Sequence, residues 1–241
     1  GCNAASPTQY GSTVAIGNVV VSPSEFMPRL FAENGRLLDS QGRITLDTPE
    51  ALRALENYRE TYSYSDRTIY DFWKNALEGF ADGTAAMTVV FINYASHILN
   101  SQMSRIAGKL GFAPVPGGKP LLGGGVIGIA QSCTCPAAAC KFLEWLYADL
   151  VAPVFTMLGG LSPCRSAYSN RDISEQYPWL STARKSFPTA QRHSTYYQNF
   201  SELQLETILA AHVQQAVLGV CSPEEALKQA QEDCNRYFQP W

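Results

Sequence analysis

The sequence predicts an α/β protein on three observations. Short runs rich in β-branched or apolar residues, at 13–21, 85–92, 110–115 and 123–130, recur between longer segments whose apolar residues return at steps of three and four. The longer segments open on cap and proline signals, as at Asp47-Thr48-Pro49-Glu50 and Ser222-Pro223-Glu224-Glu225. The 241 residues are 46% hydrophobic and 16% charged, a globular balance that can bury a core.

The run 13–21 (TVAIGNVVV) is expected as a strand. Ser22-Pro23-Ser24-Glu25 then opens a helix, with serine as cap and an acid in the first turn. Phe26, Leu30 and Phe31 form its apolar face, and Asn34-Gly35 ends it, glycine suiting the left-handed position. Residues 37–44 read as two extended pieces around a Ser-Gln-Gly turn. The helix that begins with Pro49 in its first turn sets Leu52, Leu55, Tyr58 and Tyr62 on one face. After a polar stretch, residues 71–80 give another helix, and Asp82-Gly83 turns the chain. The nearly continuous apolar run 85–92 (AAMTVVFI) is expected as a strand buried on both faces.

Residues 110–115 (LGFAPV) predict a further strand, closed by Pro116-Gly117-Gly118. Residues 123–130 (GGGVIGIA) begin as loop and continue as strand. A helix over 136–147 carries Phe142, Leu143, Leu146 and Tyr147 as a buried stripe. Beyond Gly159 strand signals fade. A helix over 202–218 aligns Leu205, Leu209, His212 and Ala216, and the last helix aligns Leu227, Ala230, Cys234 and Tyr237.

Composition removes several functions. The net charge of −3, without a basic run, argues against nucleic acid as a partner. The most apolar stretch, 142–160, is broken by Glu144, Asp149 and Pro153. Neither His-Glu-x-x-His nor Gly-x-Ser-x-Gly occurs. His212 lies on an apolar helix face and is expected as a core histidine with a satisfied hydrogen bond; His97 and His193 are expected to be solvated. Residues 123–128 match the dinucleotide glycine spacing, but an apolar run follows where a helix should open. Cys133, Cys135 and Cys140 lack the second spaced pair and nearby histidine of a zinc site, and read as small, mostly buried residues. No catalytic residue, cofactor or metal is therefore assigned.

The aromatics, 12 Tyr, 4 Trp and 11 Phe, suit a site that stacks sugar C–H faces on rings while polar groups take the hydroxyls. Phe91, Asn93 and Tyr94 close the run 85–92, and strand ends are where ligands sit in open α/β sheets. The plainer alternative makes Phe91 core and Tyr94 a helix cap. Core is the preferred expectation for Phe91, and the two readings balance for Tyr94.

Five blocks resemble, in order, those of extracellular solute-binding proteins that serve carbohydrate ABC importers. They are Phe31-Ala32-Glu33-Asn34-Gly35 with Asp47-Thr48-Pro49-Glu50-Ala51, and Phe80-Ala81-Asp82-Gly83-Thr84-Ala85-Ala86-Met87. There follow 110–118 (LGFAPVPGG), then Gly124-Gly125 with Ala138-Ala139-Cys140-Lys141-Phe142-Leu143, and finally Gly219 with Ser222-Pro223-Glu224-Glu225-Ala226-Leu227. The resemblance covers about residues 18–238.

It implies a two-lobed clamp with the ligand between the lobes. This chain is expected as a type II, periplasmic-binding-protein-like lobe, a central sheet flanked by helices, mainly the C-terminal lobe. Residues 11–122 and 161–241 would build that lobe. Residues 123–160 would be the crossover strand and helix that normally complete the N-terminal lobe, most of which is absent from this sequence. The crossover is expected to repack or to join a second copy in a homodimer.

The implied function is extracellular capture of a sugar or polyol and delivery to ABC permease membrane subunits, without catalysis. The implied place is the outer face of the cell membrane or the periplasm, with Gly1-Cys2-Asn3 as a lipid-acceptor context. The alternatives are an isolated lobe used for interaction or assembly, and an α/β hydrolase-like enzyme. By position, the resemblance assigns ligand contacts to Phe91, Asn93 and Tyr94, and a hinge where backbone approaches ligand to Gly124-Gly125. Tyr197 is placed facing the cleft, with plain packing as its equal alternative, and Trp73 is expected to pack. No tryptophan stands near Phe91, a departure from the oligosaccharide binders.

Overall fold

Two short segments, 75 residues apart, form the β-ladder of the described chain. The computed structural model describes residues 5–17, 19–67, 72–192 and 201–238. Strand β1 (Tyr10–Thr13) pairs in parallel with β2 (Ala85–Thr88), setting Tyr10 opposite Ala85 and Thr13 opposite Thr88. Thr13 Oγ1 donates to Thr88 Oγ1 at 2.8 Å across the ladder. Between the strands run α1 (Val21–Ala32), α2 (Pro49–Ser63) and α3 (Trp73–Ala81). After β2 come α4 (Ala95–Leu99), α5 (Pro136–Leu146), α6 (Val151–Met157), α7 (Ser166–Ser169), α8 (Arg171–Gln176) and α9 (Pro178–Ser186). The chain ends with α10 (Glu202–Leu218) and α11 (Pro223–Tyr237). The architecture is mixed α/β, with helices dominant.

The chain forms two compact units. The first comprises Gly1–Val90, Val115–Leu121 and Thr189–Trp241; the second comprises Phe91–Pro114 and Leu122–Pro188. Residues 91–114 and 161–188 thus group with 122–160.

The core of the first unit lies among α1, α2, α10 and α11. Phe26, Met27 and Leu30 meet Leu55 and Tyr58, with Leu205, Leu209 and Leu227 on the facing helices. All of these but Met27 are residues that the three-and-four spacing selects. Helix α2 starts as expected, with the Thr48 side chain accepting from Ala51 N. Helix α11 starts on a full capping box between Ser222 and Glu225. Residues 37–44 fold back as expected, with an antiparallel bridge between Leu38 and Ile44. Asn235 of α11 locks that bend, its Oδ1 accepting from Ile44 N at 3.0 Å and its Nδ2 donating to Ile44 O at 2.9 Å. Pro116-Gly117-Gly118 forms a tight turn in which Gly117 has φ 78°. A Cβ there would stand 2.3 Å from Ala32 Cβ, so the turn against the end of α1 demands glycine.

Several expectations fail. The run 13–21 is strand only at Thr13. Val14, Ala15 and Ile16 are buried, but side chains capture the carbonyls of the last two: Tyr58 Oη donates to Ala15 O at 2.6 Å and Gln214 Nε2 to Ile16 O at 3.0 Å. Ser22 does not cap α1; Val20 stands at that position and Ser22 N donates back to Gly17 O. Glu25 lies one turn in, buried, with its Oε2 3.0 Å from Arg29 Nη1. Burial raises its carboxyl above the ordinary range, with Arg29 pulling the other way. The left-handed residue after α1 is Asn34, at φ 62°. Strand β2 is not buried on both faces: Met87 is 65% exposed, because the two-stranded ladder leaves no layer over it.

Residues 110–115 and 123–130 form no strand, since neither finds a ladder partner among the described residues. The expected buried stripe of α5 lies open: α5 has no buried residue, and Phe142 and Trp145 are 54% and 57% exposed. The core of the second unit forms elsewhere, from Ala95, Ala152, Ala167, Tyr168, Trp179, Leu180 and Ala183. Tyr237 is likewise exposed, whereas Leu227, Ala230 and Cys234 on the same helix are buried.

Candidate ligand-binding site

The candidate residues of the second unit are held by a single turn of 3-10 helix. Phe91 is extended and precedes the turn Ile92–Tyr94, which leads directly into α4. Ile92 and Ala95 anchor the turn by packing on the core of their unit. Tyr94 N donates to Phe91 O at 3.0 Å and closes it. The turn leaves Asn93 exposed and Phe91 and Tyr94 half-buried. Phe91 is therefore not core, contrary to the preferred expectation. Tyr94 does occupy the cap position of α4, but it makes no side-chain capping bond.

The glycine run meets this turn at its first residue. A Cβ on Gly123 would stand 3.4 Å from Phe91 Cε1, so the ring lies against bare backbone. Gly124 and Gly125 follow, exposed, with no atom within 4 Å of where a side chain would point. The turn thus carries an aromatic ring, an exposed carboxamide and a phenol, and its first residue meets the start of an exposed glycine run. This set offers an apolar face and hydrogen-bond groups of both kinds, as small-molecule sites require.

Tyr197 and His193 lie outside the described residues. Trp73 packs, as expected, against a small cluster of Ala15, Val21 and Ala76. His212 meets Asp233 of α11, with Nε2 3.0 Å from Oδ2, but it is half-buried and its Nδ1 is buried without a hydrogen-bond partner, so the expected core histidine is satisfied on one nitrogen only. Burial pushes the Cys234 thiol up to about 12. Cys135 and Cys140, read as mostly buried, are exposed. Among the described residues, no three His, Cys, Asp or Glu side chains gather as a metal site. No helix among them is long and apolar enough to cross a membrane. Two surface hollows lie in the first unit, lined by Asp39, Gln231 and Asn235 and by Glu56, Arg59 and Glu224; the Phe91 turn is in neither.

One feature escaped the sequence reading: Gly123 touches the aromatic candidate, whereas the hinge assignment began one residue later. The glycine triplet was a visible signal for it. The 122–161 stretch, for which repacking or a second copy was expected, is exposed and apolar, with Val126 100%, Leu150 88% and Leu158 80% exposed. No local signal distinguishes an apolar residue awaiting a cover from one already covered.

Comparison with known proteins places these elements in context. The family model described as bacterial extracellular solute-binding protein matches residues 6–182. The maltose-bound MalE3 of T. maritima superposes with a TM-score of 0.84 at 22% identity, over 95% of this chain and 61% of that one. An ABC transporter solute-binding protein of Thermotoga lettingae, bound to α-D-tagatose, gives 0.74 at 26% identity, over 94% and 59%. One from Agrobacterium radiobacter, in complex with ribitol, gives 0.76 at 21% identity, over 95% and 60%. The chain therefore spans about three fifths of the length of these solved structures.

Proposed function

The chain belongs to the bacterial extracellular solute-binding proteins and has a type II, periplasmic-binding-protein-like fold, and from that premise we propose that it captures a sugar or polyol outside the cytoplasm for an ABC importer. The observation that carries the ligand reading is the Phe91 turn lying on the glycine run. The Phe91 ring offers a flat apolar surface to the C–H face of a sugar. Asn93, the Tyr94 hydroxyl and the peptide groups of Gly124-Gly125 offer hydrogen bonds to its hydroxyls. Maltose, tagatose and ribitol, bound by the three neighbours, all present that mixture of C–H and O–H groups.

The receptor reading makes this chain the larger part of a two-lobed clamp. Residues 11–122 and 161–241 then belong to one lobe, and 123–160 cross to the other. The exposed apolar side chains of 122–161 support this, since uncovered rings such as Trp145 and Phe142 call for a packing partner. Closure of two lobes around the ligand shields it from water and is the motion that permease subunits would read. Attachment to the membrane through a lipid on Cys2 completes the proposal. The same apolar stretch favours a second reading, in which two copies cover each other through 123–160.

A thermal-shift series with maltose, ribitol and tagatose tests the ligand reading, run on this chain and on the chain extended to the length of its relatives. A ligand held by the native state at a hundred times its Kd stabilises by about 2.7 kcal/mol. We expect a clear rise in Tm for the extended chain and a small one for the chain alone. No rise in either would overturn the ligand reading. Sedimentation velocity on the chain alone decides the second reading: a dimer that dissociates on Trp145→Glu supports it, and a monomer removes it.

A further inference from the structure

Gly123 has no conformational need to be glycine. Its φ lies outside the left-handed region that marks seven other glycines of the chain. It is exposed, and no helix or ladder constrains it. What stands before its missing side chain is the Phe91 ring: Cε1 would be 3.4 Å and Cδ1 4.0 Å from a Cβ. The next two glycines face open space, with nothing within 4 Å. The three neighbours in sequence are thus unlike in surroundings, and only the first borders the candidate aromatic.

We propose that Gly123 is a specificity-determining residue of the Phe91 site, its bare Cα leaving beside the ring the room in which the C–H face of a pyranose lies. The inference rests on the ligand reading above and adds to it a shape rule. An alanine at 123 makes ordinary contact with the ring edge and leaves most of the face open. A valine places two methyl groups about 1.5 Å beyond Cβ. They either lie over the ring or push it off its rotamer. A ring-shaped ligand needs the flat surface as a whole. An acyclic polyol can pass a narrowed slot by turning about its single bonds. Loss of the glycine should therefore discriminate by ligand shape and not by hydroxyl count.

The test is an NMR titration of the full chain, which reads weak binding directly. First, an NOE between Gly123 Hα and the Phe91 ring is expected in the absence of ligand; its absence overturns the proposal whatever binds. Then maltose and ribitol are titrated into the parent, Gly123→Ala and Gly123→Val. We expect Gly123→Val to weaken maltose roughly tenfold or more and ribitol less than about threefold. Gly123→Ala should weaken maltose less than Gly123→Val does, since its single methyl makes only ordinary contact with the ring edge. Equal losses for both ligands, or no loss for maltose, would overturn the shape rule while leaving the site in place. A parent that keeps the NOE but binds neither probe would overturn the site reading, and the shape rule with it. Amide spectra of each variant that match the parent outside 91–95 and 122–126 confirm that folding is intact.

Discussion

Helices α10 and α5 carry apolar residues at the same helical spacing and meet opposite fates. On α10, Leu205, Leu209 and Ala216 are at most 2% exposed, covered by α1, α2 and α11. On α5, Phe142 and Trp145 are more than half exposed, and no α5 side chain joins the core of its unit. The difference teaches that periodicity marks a face that needs cover without saying what covers it. Each large apolar side chain left open forgoes about 1.5–3 kcal/mol of burial. The second unit instead draws its core from four alanines, Leu180 and two aromatics, Tyr168 and Trp179.

The sharpest way to break this comparison is to truncate matched positions. Leu209→Ala should cost 2–5 kcal/mol in urea unfolding, because it opens a cavity among closed neighbours. Trp145→Ala should change stability by about 0.5 kcal/mol or less, because its ring has little packing to lose. If the two variants cost the same, α5 is covered in solution.

A smaller contrast lies in the helix starts. Ser222 accepts from Glu225 N at 3.1 Å, and the Glu225 carboxylate accepts from Ser222 N at 3.2 Å. Cys135, at the matching position of α5, makes no side-chain capping bond. Ser222→Ala should lower stability by about 1 kcal/mol in the same assay, and Cys135→Ala should be close to neutral.

The smallest expected effect is one of pH. Glu25 sits in the closed core, where burial raises its carboxyl despite Arg29. A raised folded-state pKa means that Glu25 favours the fold fully below its unfolded value. The advantage is lost as pH rises through the folded value. Tm scans upward from pH 4.5 should therefore show part of the decline disappear in Glu25→Gln. An unchanged slope would mean that the Arg29 pairing offsets the burial.

Much of this was legible in the sequence because it depends on neighbours along the chain. The Thr48 cap, the Ser222-Glu225 box and the faces of α2 and α10 are local patterns, and they formed as read except that Leu52 and His212 are only half-buried. The strand readings did less well, since a ladder needs a partner from elsewhere. At 13–21 the β-branched residues went to the core, but Tyr58 and Gln214 took the carbonyls that a strand would have shared. At 123–130 the same composition found no partner and stayed exposed. In the candidate site, Phe91, Asn93 and Tyr94 were legible as a polar-aromatic group at the end of an apolar run. The proximity of Gly123 to Phe91 was not, because the two residues are 32 positions apart.

The sequence by itself determined α1, α2, α3, α5, α10 and α11, the caps of α2 and α11, and the family. These follow from backbone propensity, side-chain periodicity and ordered motifs, all of which act over a few residues. Only the tertiary structure decided which apolar faces are closed. It also replaced a strand at 14–17 with side-chain bonds and set the Phe91 ring against Gly123. Those outcomes depend on which distant groups arrive to desolvate a face or accept a hydrogen bond, and no local run of residues encodes that arrival.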